Sequence, residues 1–222
     1  MYTHLMNYGH LPILAILSLL YLLRKKTARE SRGNPFRLMG IGFLCLIPLA
    51  LLQLTLPKLD IKDFQVLSLT IFLLIYAVVQ EIPRFLFLRR RILGHRDIKS
   101  IWEGILSSIP LFLGCAWAGI ILKCLLPAGF SPVFTQVYSV AFLNTVTCVV
   151  YGFFMGLQKA TASGSSISIV GLTVVMLQTM FLEVAIYLND TDLLIFFSAG
   201  MGFISLLLLY TSYKWRYDMT AG

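Results

Sequence analysis

Residues 65–88 read QVLSLTIFLLIYAVVQEIPRFLFL, and Glu81 and Arg84 are the only charged side chains among them. A helix needs about 20 mostly apolar residues to cross the hydrocarbon core of a bilayer. This run is long enough, while a helix buried in a soluble core needs fewer apolar positions. In lipid, backbone N–H and C=O groups must bond within the segment unless a barrel closes. Barrel strands would show alternation over segments of about ten residues. The run is continuous and more than twice that length, so a membrane-spanning helix is expected.

Working outward, six further runs have the same character. The seven expected spans are 5–23, 37–56, 65–88, 101–126, 132–157, 166–188 and 192–213. Short polar separators divide them: RKKTARESRGNP, KLDIKD, RRRILGHRD, PAGFSP, QKATASGSS and NDTD. None is long enough to hold a soluble domain, and no internal repeat or low-complexity tract is visible. The expected fold is therefore all-α, one seven-helix transmembrane domain over residues 1–222. Composition agrees: 58% of residues are hydrophobic and 13% charged, against about 45–50% and about 25% in soluble domains. His4, Asn7 and His10 precede the first run without a basic stretch, so the first span is expected to act as the targeting signal.

The net charge is +8. In a soluble chain this would raise nucleic-acid binding, but here the basic residues sit in a few loops rather than on one aromatic-studded face. No nucleic-acid partner is expected; membrane lipids are. Arg24, Lys25, Lys26, Arg29, Arg32 and Arg37 share one separator, and Arg89, Arg90, Arg91, Arg96 and Lys99 another. With Lys159, Lys214 and Arg216 they put fourteen of the eighteen basic residues on one side. Lys58, Lys62 and Lys123 lie opposite, and Arg84 lies within a span. Basic loops face the cytosol. The expected topology has a lumenal or extracellular N-terminus and a cytosolic C-terminus. Cys45, Cys115, Cys124 and Cys148 all lie in or at the ends of apolar runs without a CxxC pair, so neither a metal site nor a disulfide framework is expected.

Ionisable groups inside spans are expensive and are functional candidates by default. Gln80, Glu81 and Arg84 lie toward the cytosolic end of the third span. Glu81 and Arg84 are three residues apart and share a helix face. They can form an internal ion pair with Arg84 snorkelling to the headgroups, anchor a partner, or do chemistry. Glu183 of the sixth span is either an interfacial carboxylate or a bundle-facing acid, one turn from Gln178 and Thr179. Small residues let membrane helices approach closely. Gly104 and Ser108 form a small-xxx-small pair, Gly114, Ala118 and Gly119 continue the surface, and Gly152 and Gly156 offer a match on the fifth span.

Catalytic constellations are sparse. The three histidines, His4, His10 and His95, fall on opposite sides of the expected topology and form no HExxH. Every Asp lies in a loop, near a span end or in the tail, and no GxSxG occurs. Asn189-Asp190-Thr191 is a glycosylation sequon close to the membrane.

Gln80-Glu81-x-x-Arg84-Phe85 resembles the end of the third span in the anterior-pharynx-defective family, the seven-span subunit of gamma-secretase. Asn34-Pro35-Phe36-Arg37 is similar to the family's Asp-Pro-Leu-Arg, and Ala141-Phe142-Leu143-Asn144 to its Ala-Phe-Leu-Thr. The resemblance covers nearly the whole chain at low identity. It implies a non-catalytic scaffold holding a presenilin, a nicastrin and a presenilin enhancer, acting in protein processing of the Notch-signalling kind. It also implies residence in the endoplasmic reticulum, Golgi and plasma membrane, with no cofactor. The family's intramembrane histidines fall here on Tyr151 and near Gln178 or Thr179. A polar core of Gln80, Glu81, Arg84, Tyr151 and Gln178, with Thr179 as the alternative, is therefore expected. Two other classes remain: a peptidase related to CAAX-processing proteases, whose Glu-Glu-x-x-x-Arg motif and histidines are incomplete here, and a small-solute transporter or lipid-binding membrane protein.

Overall fold

The computed structural model of the protein describes residues 35–45, 47, 66–94, 98–125, 134–162, 164–187 and 191–218. The first expected span, most of the basic separator that follows it, His95, Lys58, Lys62 and the Asn189-Asp190 part of the sequon lie outside the described residues, as do the side chains of Glu183, Cys124 and Ala141–Leu143.

Among the described residues the fold is all-helical: α1 (Pro35–Cys45), α2 (Val66–Gly94), α3 (Ile101–Leu125), α4 (Phe134–Ala160), α5 (Ser166–Tyr187) and α6 (Thr191–Asp218). These helices fall on the second to seventh expected spans. Among the described residues, three stretches are long and apolar enough to cross a membrane: Thr70–Gly94, Ile101–Ala118 and Ile195–Trp215.

Helix α2 runs six residues past the expected end at 88, through Arg89–Arg91 to Gly94. Arginine is a good helix former, and its stem covers apolar surface while the guanidinium reaches water. Lys159 closes this end from α4, its Nζ donating to the carbonyls of Ile92 at 2.8 Å and Leu93 at 3.2 Å. A cation over the last carbonyls also complements the helix dipole. Helix α3 starts with a reciprocal cap. The Ser100 hydroxyl accepts from the Glu103 N–H at 3.2 Å, and the Glu103 carboxylate accepts from the Ser100 N–H at 3.3 Å and the Lys99 N–H at 2.7 Å. The Ser-x-x-Glu spacing satisfies N–H groups that the first helical turn leaves without partners.

Helix α3 organises the packing. Its first turns meet α4 so closely that side chains are excluded: a Cβ added at Gly104 would sit 2.5 Å from the Gly152 carbonyl oxygen and 2.8 Å from the Gly156 Cα. The Ser108 hydroxyl, one turn on, donates to the Ile105 carbonyl at 2.6 Å and lies 2.9 Å from the Cys148 carbonyl and 3.1 Å from its sulfur. Farther along, α3 meets α1. Gly114 lies against the Met39 backbone, Gly42 against the Leu111 carbonyl, and the Cys115 thiol donates to the Gly42 carbonyl at 3.2 Å. Gly104 and Ser108 thus serve one neighbour and Gly114 another.

The exterior is apolar. On α2, Ile71, Leu74, Ile75, Ile82, Leu86 and Phe87 are exposed, while Gln80, Glu81 and Arg84 are buried. On α6, Phe196, Phe203, Leu206 and Tyr210 are exposed while Ser205 and Ser212 are inside. A soluble helix shows the opposite pattern.

Close backbone approach makes a direct prediction. Gly104→Val should force α3 from α4 and destabilise by about 1–3 kcal/mol, the usual range for overpacking. Gly200, with open space around it, should accept Ala with a gain of up to about 1 kcal/mol, since Gly is a poor helix former. Thermal unfolding of both variants in one detergent checks the contrast.

Candidate functional site

The buried face of α2 repeats at three- and four-residue steps: Leu73, Ala77, Gln80, Glu81, Arg84, Phe85, Leu88 and Ile92. This spacing is one stripe of a 3.6-residue helix, so the three polar residues turn inward together. Glu81 is 0% exposed and Arg84 1%. The Arg84 Nη1 donates to Glu81 Oε1 at 3.0 Å.

Three further donors converge on the same carboxylate. Gln80 Nε2 reaches Oε1 at 3.0 Å, the Thr179 hydroxyl of α5 reaches Oε1 at 3.3 Å, and the Tyr151 hydroxyl of α4 reaches Oε2 at 3.3 Å. The carboxylate therefore ties α2 to α4 and to α5. The two hydroxyl bonds are longer than the usual O–H···O distance of about 2.7–2.8 Å, so the contacts within α2 are the tighter ones. Aromatic rings wall the cluster: Tyr151 lies 6.0 Å from Phe85 and 6.1 Å from Phe112 by ring centroids, and the Arg84 guanidinium lies 5.8 Å from the Phe112 centroid. Those faces suit a cation stripped of water.

Of the residues that the sequence picks out for this core, Gln80, Glu81, Arg84 and Tyr151 meet through hydrogen bonds. Gln178 does not join them. It is buried, but among the described residues both polar atoms of its amide lack a hydrogen-bond partner, and Thr179 reaches the carboxylate instead. Consecutive helical positions point about 100° apart, and the rotation of α5 brings Thr179 rather than Gln178 to Glu81. Asn144, named for its place in a motif, is buried on α4 and borders a cleft against α3.

A polar stripe on α4 escapes a reading that stops at Tyr151. Asn144, Thr147, Tyr151 and Gln158 are spaced by three, four and seven residues and are all buried. The signal is visible in the sequence as uncharged polar residues at helical spacing inside a span. Among the described residues no group of three or more His, Cys, Asp or Glu is placed to hold a metal ion. Compared with models of protein families, with curated proteins and with solved structures, the chain matches none.

The different fates of neighbours 178 and 179 can be measured. Thr179→Val removes a donor to a buried carboxylate and should lower stability by about 0.6 kcal/mol, the average for membrane hydrogen bonds, and by no more than about 1.7. Gln178→Leu replaces a buried, unpartnered amide with a side chain of similar size and should be neutral or stabilising. Thermal unfolding of both variants in one detergent reads the sign.

Proposed function

We propose that this chain is a non-catalytic scaffold subunit of a gamma-secretase-like intramembrane protease assembly. It crosses the membrane seven times, with its N-terminus lumenal or extracellular and its C-terminus cytosolic, and it steadies a presenilin, a nicastrin and a presenilin enhancer through helix packing. It would reside where such assemblies mature and act, in the endoplasmic reticulum, Golgi and plasma membrane.

The observation that carries this reading is the state of Glu81. Both carboxylate oxygens accept hydrogen bonds, four in all, and one donor is a buried guanidinium. A general acid or base must reach the proton that it transfers, directly or through one water. A carboxylate fully engaged and 0% exposed suits helix positioning better than proton transfer. The motif resemblance around Gln80–Phe85 supplies the kind of assembly. The apolar exterior and the basic separators support the membrane placement.

Two experiments test the reading. Affinity purification in mild detergent should recover a presenilin and a nicastrin with the chain. Glu81→Ala should lower the assembled complex several-fold and proteolytic activity in the same proportion, because removing one partner strands a buried charge, a loss of about 3–5 kcal/mol where measured in soluble proteins. Normal assembly with lost activity would favour a peptidase. For topology, a cysteine at Ser31 in a background without other cysteines should react with an impermeant reagent from the cytosolic side; labelling from the lumenal side would overturn the orientation.

A further inference from the structure

Helices α3 and α4 part along one side to leave a cleft of about 180 Å3. On α3 it runs from Trp102 through Ile109 and Leu113 to Ala116, and Val149 of α4 and Leu209 of α6 close its walls. Fourteen residues of helix separate Trp102 from Ala116, or about 21 Å at 1.5 Å per residue. One leaflet's share of the hydrocarbon core is about 15 Å. The cleft is therefore longer than one leaflet's share of the core, long enough for an acyl chain to lie along it. An apolar void of about 150 Å3 stays dry and takes a benzene-sized ligand, so this volume accepts a run of methylenes.

The two ends of the cleft differ. Trp102 is the second residue of α3, in the position of an interfacial aromatic. Lys159 binds the last carbonyls of α2, Gly156 abuts Ile101, and Leu209 packs against the cluster of Ile101, Ile105 and Phe153. These contacts bring the end of α2, the start of α3 and the ends of α4 and α6 to one end of the bundle. Lys99, just before α3, and Lys214, just beyond Leu209, are both exposed there, and Arg89–Arg91 sit on the same end. The Glu103 carboxylate caps the helix through the backbone N–H groups of Lys99 and Ser100; its one negative charge is outnumbered by the basic side chains at this end.

We propose that this cleft seats part of one acyl chain of an anionic phospholipid, with the headgroup phosphate at the basic end between Lys99 and Lys214. An apolar trough explains retention of a chain, and the basic rim selects an anionic headgroup by charge. The trough shares the Phe112 ring with the wall of the Glu81 cluster but is lined by none of that cluster's hydrogen-bonding residues. It needs only that the helices lie in a bilayer, not the assembly role.

The test is native mass spectrometry of the intact chain in mild detergent with added phosphatidylglycerol or phosphatidylcholine. One phosphatidylglycerol should survive activation that strips phosphatidylcholine. Ile109→Trp, which fills the trough, should lower that occupancy at least fivefold, whereas Leu207→Trp on the exposed face of α6 should leave it unchanged. Lys99→Gln with Lys214→Gln should bring the two lipids to equal retention. Equal retention in the unaltered chain, or full phosphatidylglycerol occupancy in Ile109→Trp, overturns the proposal. So does loss of a co-purifying protein from Ile109→Trp with lipid unchanged, which would assign the trough to a partner helix. Should Ile109→Trp fail to fold, Trp102 fluorescence decides, read in a Trp117→Phe, Trp215→Phe chain. Brominated phosphatidylglycerol must quench it more than brominated phosphatidylcholine at equal mole fraction, and equal quenching rejects the site.

Discussion

A carboxylate and a guanidinium with essentially no solvent access set the terms for the rest of this bundle. Each charge alone inside a membrane protein is expensive, and pairing lowers that cost most where further hydrogen bonds satisfy the charged atoms; among the described residues the Arg84 Nε has no such partner, while the carboxylate is fully engaged. Glu81 draws on Gln80, Tyr151 and Thr179. Those partners come from different helices, so satisfying the charge fixes how α4 and α5 sit against α2. In a bilayer the hydrophobic effect gives helices little reason to associate, and a polar centre of this kind supplies register that apolar contacts do not.

Close packing completes the arrangement. Gly104, Gly152 and Gly156 let the backbones of α3 and α4 touch, and Gly42 and Gly114 do the same for α1 and α3. Dispersion is small per atom pair and large when many pairs meet, which makes bare backbone an efficient contact surface. Side chains on α4 divide accordingly. Gly152 and Gly156 face α3, while Tyr151 turns to the charged pair between the rings of Phe85 and Phe112. Phe112 meets both Tyr151 and the Arg84 guanidinium, and so ties α3, the helix that carries Gly104 and Gly114, to the polar centre.

Much of this was legible in the sequence because lipid leaves few options. Apolar runs broken by short polar separators give α3, α4 and α5 to within a few residues; α3, expected at 101–126, is Ile101–Leu125. The end of α2 was harder, since charge alone does not say whether Arg89–Arg91 continue a helix or leave it. Glu81 and Arg84 stood out because charges within a span must find partners. The choice between Gln178 and Thr179 depended on the rotation of α5 about its axis, which tertiary packing fixes and composition does not. The Asn144–Thr147–Tyr151–Gln158 stripe was readable from spacing, yet uncharged polar residues carry a weaker signal than charges.

The central claim is that the Glu81–Arg84 pair is a structural tie whose value lies in mutual compensation. A double-mutant cycle with Glu81→Leu and Arg84→Met, followed by unfolding in detergent, tests it most directly. Each single change should destabilise by about 3–5 kcal/mol, because it leaves one buried charge behind, while the double change should recover most of that loss. Single changes that leave stability untouched, or losses that simply add in the double variant, would contradict the account.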